Sequence, residues 1–233
     1  MQLTFASYNI HKGVGVDGRR DPDRIIAVLR EMHADVIALQ ECDRRWGERE
    51  SVLSKAALDD TPWRAAPVSK RARSLGWHGN ALLVRKDIEV LTAHPIDLPT
   101  LEPRGAVHAD LKFEGRRIRV LGMHLDISGL LRRDQIRAVL RHCAGCDGEW
   151  PTVMMGDFNQ WGRTQGALRE FGHGWHAPTL GSSFPSRRPI APLDRIVHSP
   201  EWSCGPVGVH HSALAMQASD HLPVKATLRL AAQ

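Results

Sequence analysis

The sequence predicts an α/β fold, because segments with the pattern of strands alternate with segments that have the pattern of helices. A second observation is that several apolar runs end in an acid, an amide or a histidine. These polar ends are spread from residue 9 to residue 221 of the 233-residue chain. Because a division into independent domains would separate them, we predict a single domain over residues 1–233.

The chain begins with a strand, a helix and a second strand. Leu3 to Ile10 has the pattern of a strand, and Asp21-Pro22 then supplies the N-cap and first position of a helix. The apolar positions of this helix continue at helical spacing as far as Met32. Asp35 to Leu39 is a short apolar run that ends at Gln40-Glu41, which predicts a buried strand with its last residues at a site. No regular pattern follows until residue 104.

The second half of the chain resumes the alternation. Arg104 to Phe113 and Arg116 to Met123 flank Glu114-Gly115, which predicts a hairpin of two strands. The remaining predicted elements are a basic amphipathic helix at Leu130 to His142 and strands at Thr152 to Met155, Leu193 to Val197 and Val224 to Leu230.

Composition limits the classes of protein that fit. A hydrophobic content of 42% is enough for a substantial core, and the net charge of +5 favours an anionic partner such as a phosphate, a nucleic acid or an anionic lipid surface. Four cysteines are too few for a disulfide framework in a chain of this length, which fits a reduced, cytoplasmic setting. Because the N-terminal residues run straight into a strand without a basic n-region and apolar h-region, we expect no signal peptide. No apolar run approaches the ~18 residues of a transmembrane segment.

Three local motifs have less specific explanations. Gly13 to Gly18 matches the dinucleotide fingerprint, but the helix signals begin only at Asp21, so we predict that these glycines lie in a loop. Cys143 and Cys146 have the spacing of a redox or metal pair without a second pair, which favours two partly buried thiols. The tandem His210-His211 is interpreted as a loop or surface feature.

The polar strand ends have residue types that fit metal-assisted hydrolysis. Asp157 and Asn159 follow a buried run and Gly156, which would let the backbone bend. In an extended chain the two side chains would point the same way, so that a carboxylate and an amide could orient a water. Asp220-His221 sets an acid beside an imidazole, and Asp194 is an acid within an apolar strand that needs a histidine or metal partner. Each motif alone is also compatible with a turn or a cap. Carboxylates and amides without a cysteine cluster suit Mg²⁺, Mn²⁺ or Ca²⁺ rather than Zn²⁺.

Taken together, the motifs resemble the ordered set of the endonuclease/exonuclease/phosphatase superfamily, which includes deoxyribonucleases, abasic-site endonucleases, inositol polyphosphate 5-phosphatases and neutral sphingomyelinases. The resemblance covers nearly the whole chain and implies a four-layer α/β sandwich of two packed mixed sheets with helices on the outer faces. Two further segments, Gly79 to Leu83 and Pro103 to Ala106, resemble secondary family segments. The motifs are Ser-Tyr-Asn9-Ile, Leu-Gln-Glu41, Met-His124-Leu, Gly-Asp157-Phe-Asn159, Leu-Asp194-Arg-Ile and Ser-Asp220-His221.

The resemblance also implies a metal site. It makes Glu41 the direct ligand of Mg²⁺, with Mn²⁺ as an alternative, and brings Asn9 and Asp220 near or into the coordination shell. One position departs from the abasic-site branch, since His11 stands where those enzymes carry an acid. A metal shell copied from that branch is therefore not expected.

The catalytic roles implied by the resemblance centre on the second half of the chain. Asp157 would orient or deprotonate the attacking water, and Asn159 would position it. His221, held by Asp194, would contact phosphoryl oxygens or transfer a proton, and His124 would assist at the phosphate or the leaving group.

The resemblance implies a phosphoester substrate, whose phosphate would meet Arg104 and Asn80. We predict a metal-dependent phosphodiesterase for a small or lipid phosphodiester, because the chain is short for this family and lacks an extended basic arm. A DNA endonuclease or exonuclease is the alternative, with Lys70 to Arg73 as its basic segment. A non-catalytic phosphate-binding module is the alternative from another class, which the complete set of site residues disfavours.

Overall fold

The computed structural model describes residues 1–44, 47–100, 104–162 and 165–231, and eleven strands and four α-helices lie in these ranges. The strands are β1 (Gln2–Asn9), β2 (Val36–Gln40), β3 (Trp63–Ala65), β4 (Ala81–Arg85), β5 (Glu89–Asp97), β6 (Gly105–Phe113), β7 (Arg116–His124), β8 (Thr152–Asp157), β9 (Asp194–His198), β10 (Trp202–Val209) and β11 (Val224–Leu230). The helices are α1 (Pro22–Met32), α2 (Lys55–Asp59), α3 (Gly129–Ala144) and α4 (Ala213–Ala218), and short 3-10 helices occupy His11–Gly13 and Gly166–Phe171.

The strands form two mixed sheets. The first has the order β10-β11-β1-β2-β4-β3, and the second has the order β5-β6-β7-β8-β9. Each sheet contains one parallel pair, β1 with β2 and β7 with β8, and every other neighbouring pair is antiparallel. The carboxyl ends of each parallel pair therefore lie at one edge of their sheet.

The two sheets pack face to face, and helices cover both outer faces. Side chains such as Phe5 from the first sheet and Val120 and Val153 from the second form the core between the sheets. Tyr8 faces the other way, onto α1, and Met154 packs against α3. This arrangement confirms the predicted four-layer α/β sandwich. No helix within the described ranges is long and apolar enough to cross a membrane.

Local chemistry explains the elements that the sequence predicted. The Asp21 carboxylate accepts a hydrogen bond from the Arg24 amide at 3.0 Å and so caps α1, with Pro22 at its first position. Glu114 and Gly115 form the turn between β6 and β7 with φ values of 48° and 77°. Positive φ at both central positions matches the twist of a two-residue hairpin.

The stretch from residue 42 to residue 103, in which the sequence showed no regular pattern, contains four elements that were missed. They are α2, β3, β4 and β5. The strand β3 has only three residues, and β5 is an edge strand whose side chains are mostly half-buried or exposed, so neither carries the alternation of a strand with one buried face. The elements β10 and α4 were missed as well. Pro103 of the predicted family segment lies outside the described residues.

Candidate active site

The predicted site residues meet at the edge where the two parallel strand pairs end. Asn9 is the last residue of β1 and pairs with Gln40 of β2, just before Glu41. In the second sheet, His124 at the end of β7 pairs with Asp157 at the end of β8. The strands β9 and β11 run the opposite way, so their first residues and the segment before β11 lie at this same edge.

Strand alternation directs these side chains into the gap between the sheets. Successive side chains point to opposite faces, so Asn9 shares the inner face with Leu3 and Phe5, and Asp157 shares it with Val153 and Met155. The Asn9 amide nitrogen therefore reaches across the gap and donates to Asp157 Oδ2 at 3.1 Å.

Asp157 lies at the centre of the site. Its side chain is buried, and its Oδ1 accepts a hydrogen bond from the backbone amide of Asn159 at 2.9 Å. Its Oδ2 lies 3.3 Å from His124 Nε2 and 3.7 Å from His221 Nε2. One carboxylate thus stands between two imidazoles that come from residues 97 positions apart in the chain (221 − 124).

His221 is held by a buried acid. Its Nδ1 lies 2.9 Å from Asp194 Oδ2, and the same oxygen accepts a hydrogen bond from Ser183 Oγ at 2.5 Å. Burial lowers the pKa of His221, but the charges of Asp194 and Asp157 outweigh it and raise the pKa to about 10. The ring is therefore an imidazolium at neutral pH, and Asp194 has the histidine partner that its position in an apolar strand required.

His124 has the opposite electrostatic character. Burial lowers its pKa to about 4, because the positive charge of Arg104 adds to the desolvation and outweighs the attraction of Asp157. Arg104 Nη1 lies 2.8 Å from His124 Nδ1. At neutral pH the site therefore holds one charged and one neutral imidazole on the same carboxylate, and such a division is typical of acid–base pairs with separate tasks.

Glu41 follows β2 in a left-handed conformation with φ of 54°. Its carboxylate forms an ion pair with Lys12 Nζ. Burial raises the pKa of Glu41, but the interactions with His124 and Lys12 lower it to about 2. Since His124 is neutral at pH 7, Lys12 is the positive charge that stabilises the ionised Glu41 carboxylate at that pH. An ionised, partly exposed carboxylate is the ligand type that Mg²⁺ prefers.

The other predicted metal ligands have more partners. Asn9 Oδ1 accepts a hydrogen bond from the His11 amide at 3.1 Å, so one lone pair of this oxygen is in use. Asp220 Oδ1 lies 3.3 Å from Ser219 Oγ and 3.9 Å from His11 Nδ1, and its side chain is partly exposed. Oxygen donors such as these and Glu41 are the ligand type of a hard divalent cation.

Asn80 lies beside the Glu41 segment. Its Nδ2 donates to the Trp77 carbonyl at 3.2 Å, while its buried Oδ1 has no hydrogen-bond partner. The preceding Gly79 packs against the Glu41 backbone and accepts a hydrogen bond from the Cys42 amide at 3.0 Å. Because a buried amide oxygen without a partner is costly, its presence at this edge favours a ligand site.

Comparison with known proteins agrees with this geometry. The profile of the Endonuclease/Exonuclease/phosphatase family matches residues 6–221. The chain belongs to this family. The uncharacterized protein YbhP of Escherichia coli K12 is 29% identical over 95% of this chain and 94% of its own length.

Two solved structures show the same fold. The mannosyl-6-phosphatase Bt3783 of Bacteroides thetaiotaomicron superposes with a TM-score of 0.76 and 20% identity, covering 98% of this chain and 100% of that chain. D. rerio TDP2 in complex with a single-strand DNA product gives a TM-score of 0.73 and 17% identity, covering 98% and 99% of the two chains. Members of the family are phosphoester hydrolases that use divalent metals, so a hydrolase is the function class of this chain.

Two details of the Gly-Asp-Phe-Asn motif differ from the sequence analysis. The chain is not extended at Asn159, whose φ is 50°, and Asn159 Nδ2 donates to the Leu125 carbonyl at 2.9 Å rather than pointing along with Asp157. Gly156 does not produce a bend, since β8 continues through it to Asp157. A Cβ at Gly156 would lie 1.9 Å from the Met123 carbonyl oxygen, so glycine is required by the close approach of β7.

Two residues of the site were missed by the sequence analysis. Ser183 supports Asp194, and Lys12 pairs with Glu41. A single serine in a loop carries no pattern, and the family motif around Asn9 ends before Lys12. Gly13 to Gly18 lie in a 3-10 turn and a loop before α1, as predicted.

Proposed function

We propose that this chain is a Mg²⁺-dependent phosphodiesterase whose substrate is a small or lipid phosphodiester. The observation that carries the proposal is the buried Asp157 carboxylate between a protonated and a neutral imidazole, with the ionised Glu41 at the same edge. A phosphate bound at this edge would therefore meet both positively and negatively charged side chains. Mn²⁺ would serve in place of Mg²⁺, because both cations take oxygen ligands.

The proposed roles follow from these contacts. Asp157 accepts the proton of the attacking water, and Asn9 holds the carboxylate through its 3.1 Å hydrogen bond. The His221 imidazolium donates to a phosphoryl oxygen and stabilises the charge that develops there. Asp194 keeps this ring charged and fixes its orientation through Nδ1. Asn159 positions the water.

Neutral His124, at the end of β7, and the neighbouring Arg104 guanidinium, just before β6, would face the substrate. Arg104 binds phosphate oxygens with its planar fork, and His124 assists at the leaving oxygen. Glu41, with Asn9 and Asp220, would hold the cation. Asn80 would donate to the phosphate if its Nδ2 turned away from the Trp77 carbonyl. A bound Mg²⁺ ion would offset phosphate charge and stabilise charge on the leaving oxygen.

Exposed apolar side chains that lie near the catalytic residues in the sequence favour a lipid substrate over a polymer. Of the five large apolar side chains that are exposed within the described ranges, four adjoin the catalytic segments. Ile127 and Leu130 follow His124, Trp161 follows Asn159, and Ile190 belongs to the loop whose Phe184 ring lies 4.9 Å from the His221 ring. Apolar side chains that surround a polar site are suited to contact with an acyl-chain region.

DNA is the second candidate substrate, and one observation favours it: the chain carries a net charge of +5. The D. rerio TDP2 neighbour is in complex with single-strand DNA. However, two of the cations in the basic segment are paired with acids. Lys70 lies 3.9 Å from Asp97, and Arg73 lies 2.7 Å from Glu50. These ion pairs partly neutralise the positive charge that a nucleic-acid backbone would bind. We therefore keep the small or lipid phosphodiester as the proposed substrate.

We also propose a cytoplasmic location, supported by the four free thiols at Cys42, Cys143, Cys146 and Cys204.

A non-catalytic phosphate-binding module is the remaining alternative. The predicted acid, base and metal-ligand residues are all present at the described edge, which argues against loss of catalysis.

The test is a substrate panel with purified protein in Mg²⁺ or Mn²⁺. It contains phospholipid vesicles, a soluble nitrophenyl phosphodiester, single-stranded DNA and a sugar phosphate. We expect the wild type to hydrolyse the phospholipid and the nitrophenyl phosphodiester. In Trp161→Ala, hydrolysis of the phospholipid vesicles should fall, while hydrolysis of the soluble nitrophenyl phosphodiester should be retained. Faster hydrolysis of DNA than of either diester would overturn the substrate proposal, and the absence of hydrolysis on all of them would favour the binding module.

A further inference from the structure

A second group of potential metal ligands lies away from the catalytic edge. His94 of β5 and His108 of β6 are cross-strand neighbours, and their rings stack at 4.4 Å. His142, near the end of α3, closes over them. We call His94, His108 and His142 the outer histidine cluster. His108 lies on the face of the second sheet that packs against α3, because Val107 and Ala109 occupy the face toward the first sheet.

The outer histidine cluster is separate from the proposed active site. His108 pairs with Leu121 of β7, three residues before His124, which corresponds to about 10 Å along the strand. His124 shares the inner face of the sheet with Val120, whereas His108 is on the outer face. The two groups therefore cannot share one ion.

Three ring nitrogens of the outer histidine cluster converge, and two of their separations are close to those of a tetrahedral shell. His142 Nε2 lies 3.4 Å from His94 Nε2 and 3.0 Å from His108 Nδ1, and the three ring nitrogens all lie within 4.8 Å of one another. Cys146, one turn beyond His142, has its Sγ 3.6 Å from His142 Nε2, but the thiol donates to the His142 carbonyl at 3.2 Å and lies outside the group of three ring nitrogens. Zinc–nitrogen bonds of about 2.0–2.1 Å and a zinc–sulfur bond of about 2.3 Å give tetrahedral edges of roughly 3.3–3.6 Å.

The Asp110 carboxylate contacts the nitrogen of His108 that points away from the other two histidines. Asp110 Oδ1 lies 2.9 Å from His108 Nε2, close enough for an ion pair although the N–H is not aligned for a hydrogen bond. Arg119 Nε donates to the same oxygen at 2.9 Å and fixes the carboxylate. An acid at Nε2 favours the tautomer with its proton there, which leaves His108 Nδ1 free to face the cluster.

We propose that His94, His108 and His142 bind a Zn²⁺ ion, with the Cys146 thiolate as the fourth ligand after its side chain turns from the His142 carbonyl toward the three nitrogens. Three imidazoles and one thiolate suit Zn²⁺ and not the hard cation of the active site. Binding releases the Cys146 thiol proton to solvent. The ion would tie the end of α3 to β5 and β6, so its role is structural, and the proposal does not depend on which phosphoester is hydrolysed.

The experiment measures Zn²⁺ affinity of chelator-treated protein by competition with a chromophoric chelator, and uses Co²⁺ as a spectroscopic probe. We expect His142→Gln and His94→Asn each to weaken Zn²⁺ at least tenfold, and Cys146→Ser to abolish the sulfur-to-Co²⁺ charge-transfer band. Both side chains are half-buried and lie on different elements, so each variant checks that the loss of Zn²⁺ in the other is not a loss of folding.

The matched control is His221→Ala, which removes an imidazole from the active site and leaves the outer histidine cluster intact. We expect this variant to bind Zn²⁺ as the wild type does. The proposal is wrong if His142→Gln and His94→Asn retain wild-type affinity, or if only His221→Ala loses it. Zn²⁺ should also raise the midpoint of thermal unfolding of the wild type but not of His142→Gln.

Discussion

The pair of Asp194 and His221 permits a quantitative prediction for Asp194→Asn. Burial lowers the pKa of His221, yet the surrounding acids raise it from 6.5 to about 10, and Asp194 is the strongest of them. At about 1.36 kcal/mol per pKa unit, this shift corresponds to about 5 kcal/mol of net interaction with all the surrounding groups. Asparagine keeps the shape and a hydrogen-bond acceptor but removes the charge. We expect a loss of about 2–3 kcal/mol in the free energy of unfolding at pH 6.

The pH dependence of this loss follows from the sign of the shift. A histidine with a raised pKa in the folded state contributes stability that is fully present below its unfolded value and declines as the pH rises toward the folded value. The difference between wild type and Asp194→Asn should therefore be greatest near pH 6 and shrink steadily between about pH 6.5 and 10. Urea unfolding across this range measures it.

An NMR titration of the His221 ring tests the same reasoning directly. The wild-type ring should stay protonated at pH 8, and the ring of Asp194→Asn should titrate below pH 8. Hydrolysis should fall by about 100-fold or more in that variant. Ser183→Ala is the matched control, because it removes one hydrogen bond to Asp194 and should cost only about 1 kcal/mol at all pH values. A wild-type His221 that titrates near its ordinary pKa of 6.5 would refute the account.

Three further predictions concern the metal, the fold and the substrate. Glu41→Gln should weaken Mg²⁺ binding and lower kcat by about 100-fold or more, and activity that survives EDTA would contradict this. Gly156→Ala should lower the free energy of unfolding by about 3 kcal/mol, because its Cβ meets the Met123 carbonyl, whereas Gly208→Ala, which has open space, should be nearly neutral in urea unfolding. Hydrolysis of a small diester should respond weakly to a rise from ~50 to ~200 mM salt. A steep salt dependence on DNA that is lost when Lys70, Arg71 and Arg73 become alanine would indicate a nuclease.

The elements that were predictable from the sequence are those in which a local pattern and a buried face coincide. The run before Gln40 and the strand β8 are buried along their whole length, and α1 has a cap that is visible in Asp21-Pro22. In contrast, β10 has mostly exposed or half-buried side chains, and its place beside β11 depends on tertiary pairing. The sequence of β10 alone therefore lacks the alternation of buried and exposed residues that predicts a strand.

The site was predictable in its residue types but not in its geometry. Polar strand ends predicted that Asn9 and Asp157 belong to one site, and strand alternation explains why their side chains meet. The left-handed conformation of Asn159 and the support of Asp194 by Ser183 depend on packing between distant segments. The catalytic and metal-binding roles, and the single domain, stay predictions.

The most direct test of the central claim is Mg²⁺-dependent hydrolysis of a phosphodiester by wild type and by Asp157→Asn, measured as kcat and KM. Asparagine preserves the size of the buried side chain but removes the group assigned to accept the proton of water. We predict that Mg²⁺-dependent turnover of the wild type falls by about 100-fold or more in the variant, with KM changed less than threefold. Equal turnover by the two proteins, or wild-type turnover that persists without any divalent cation, would contradict the account.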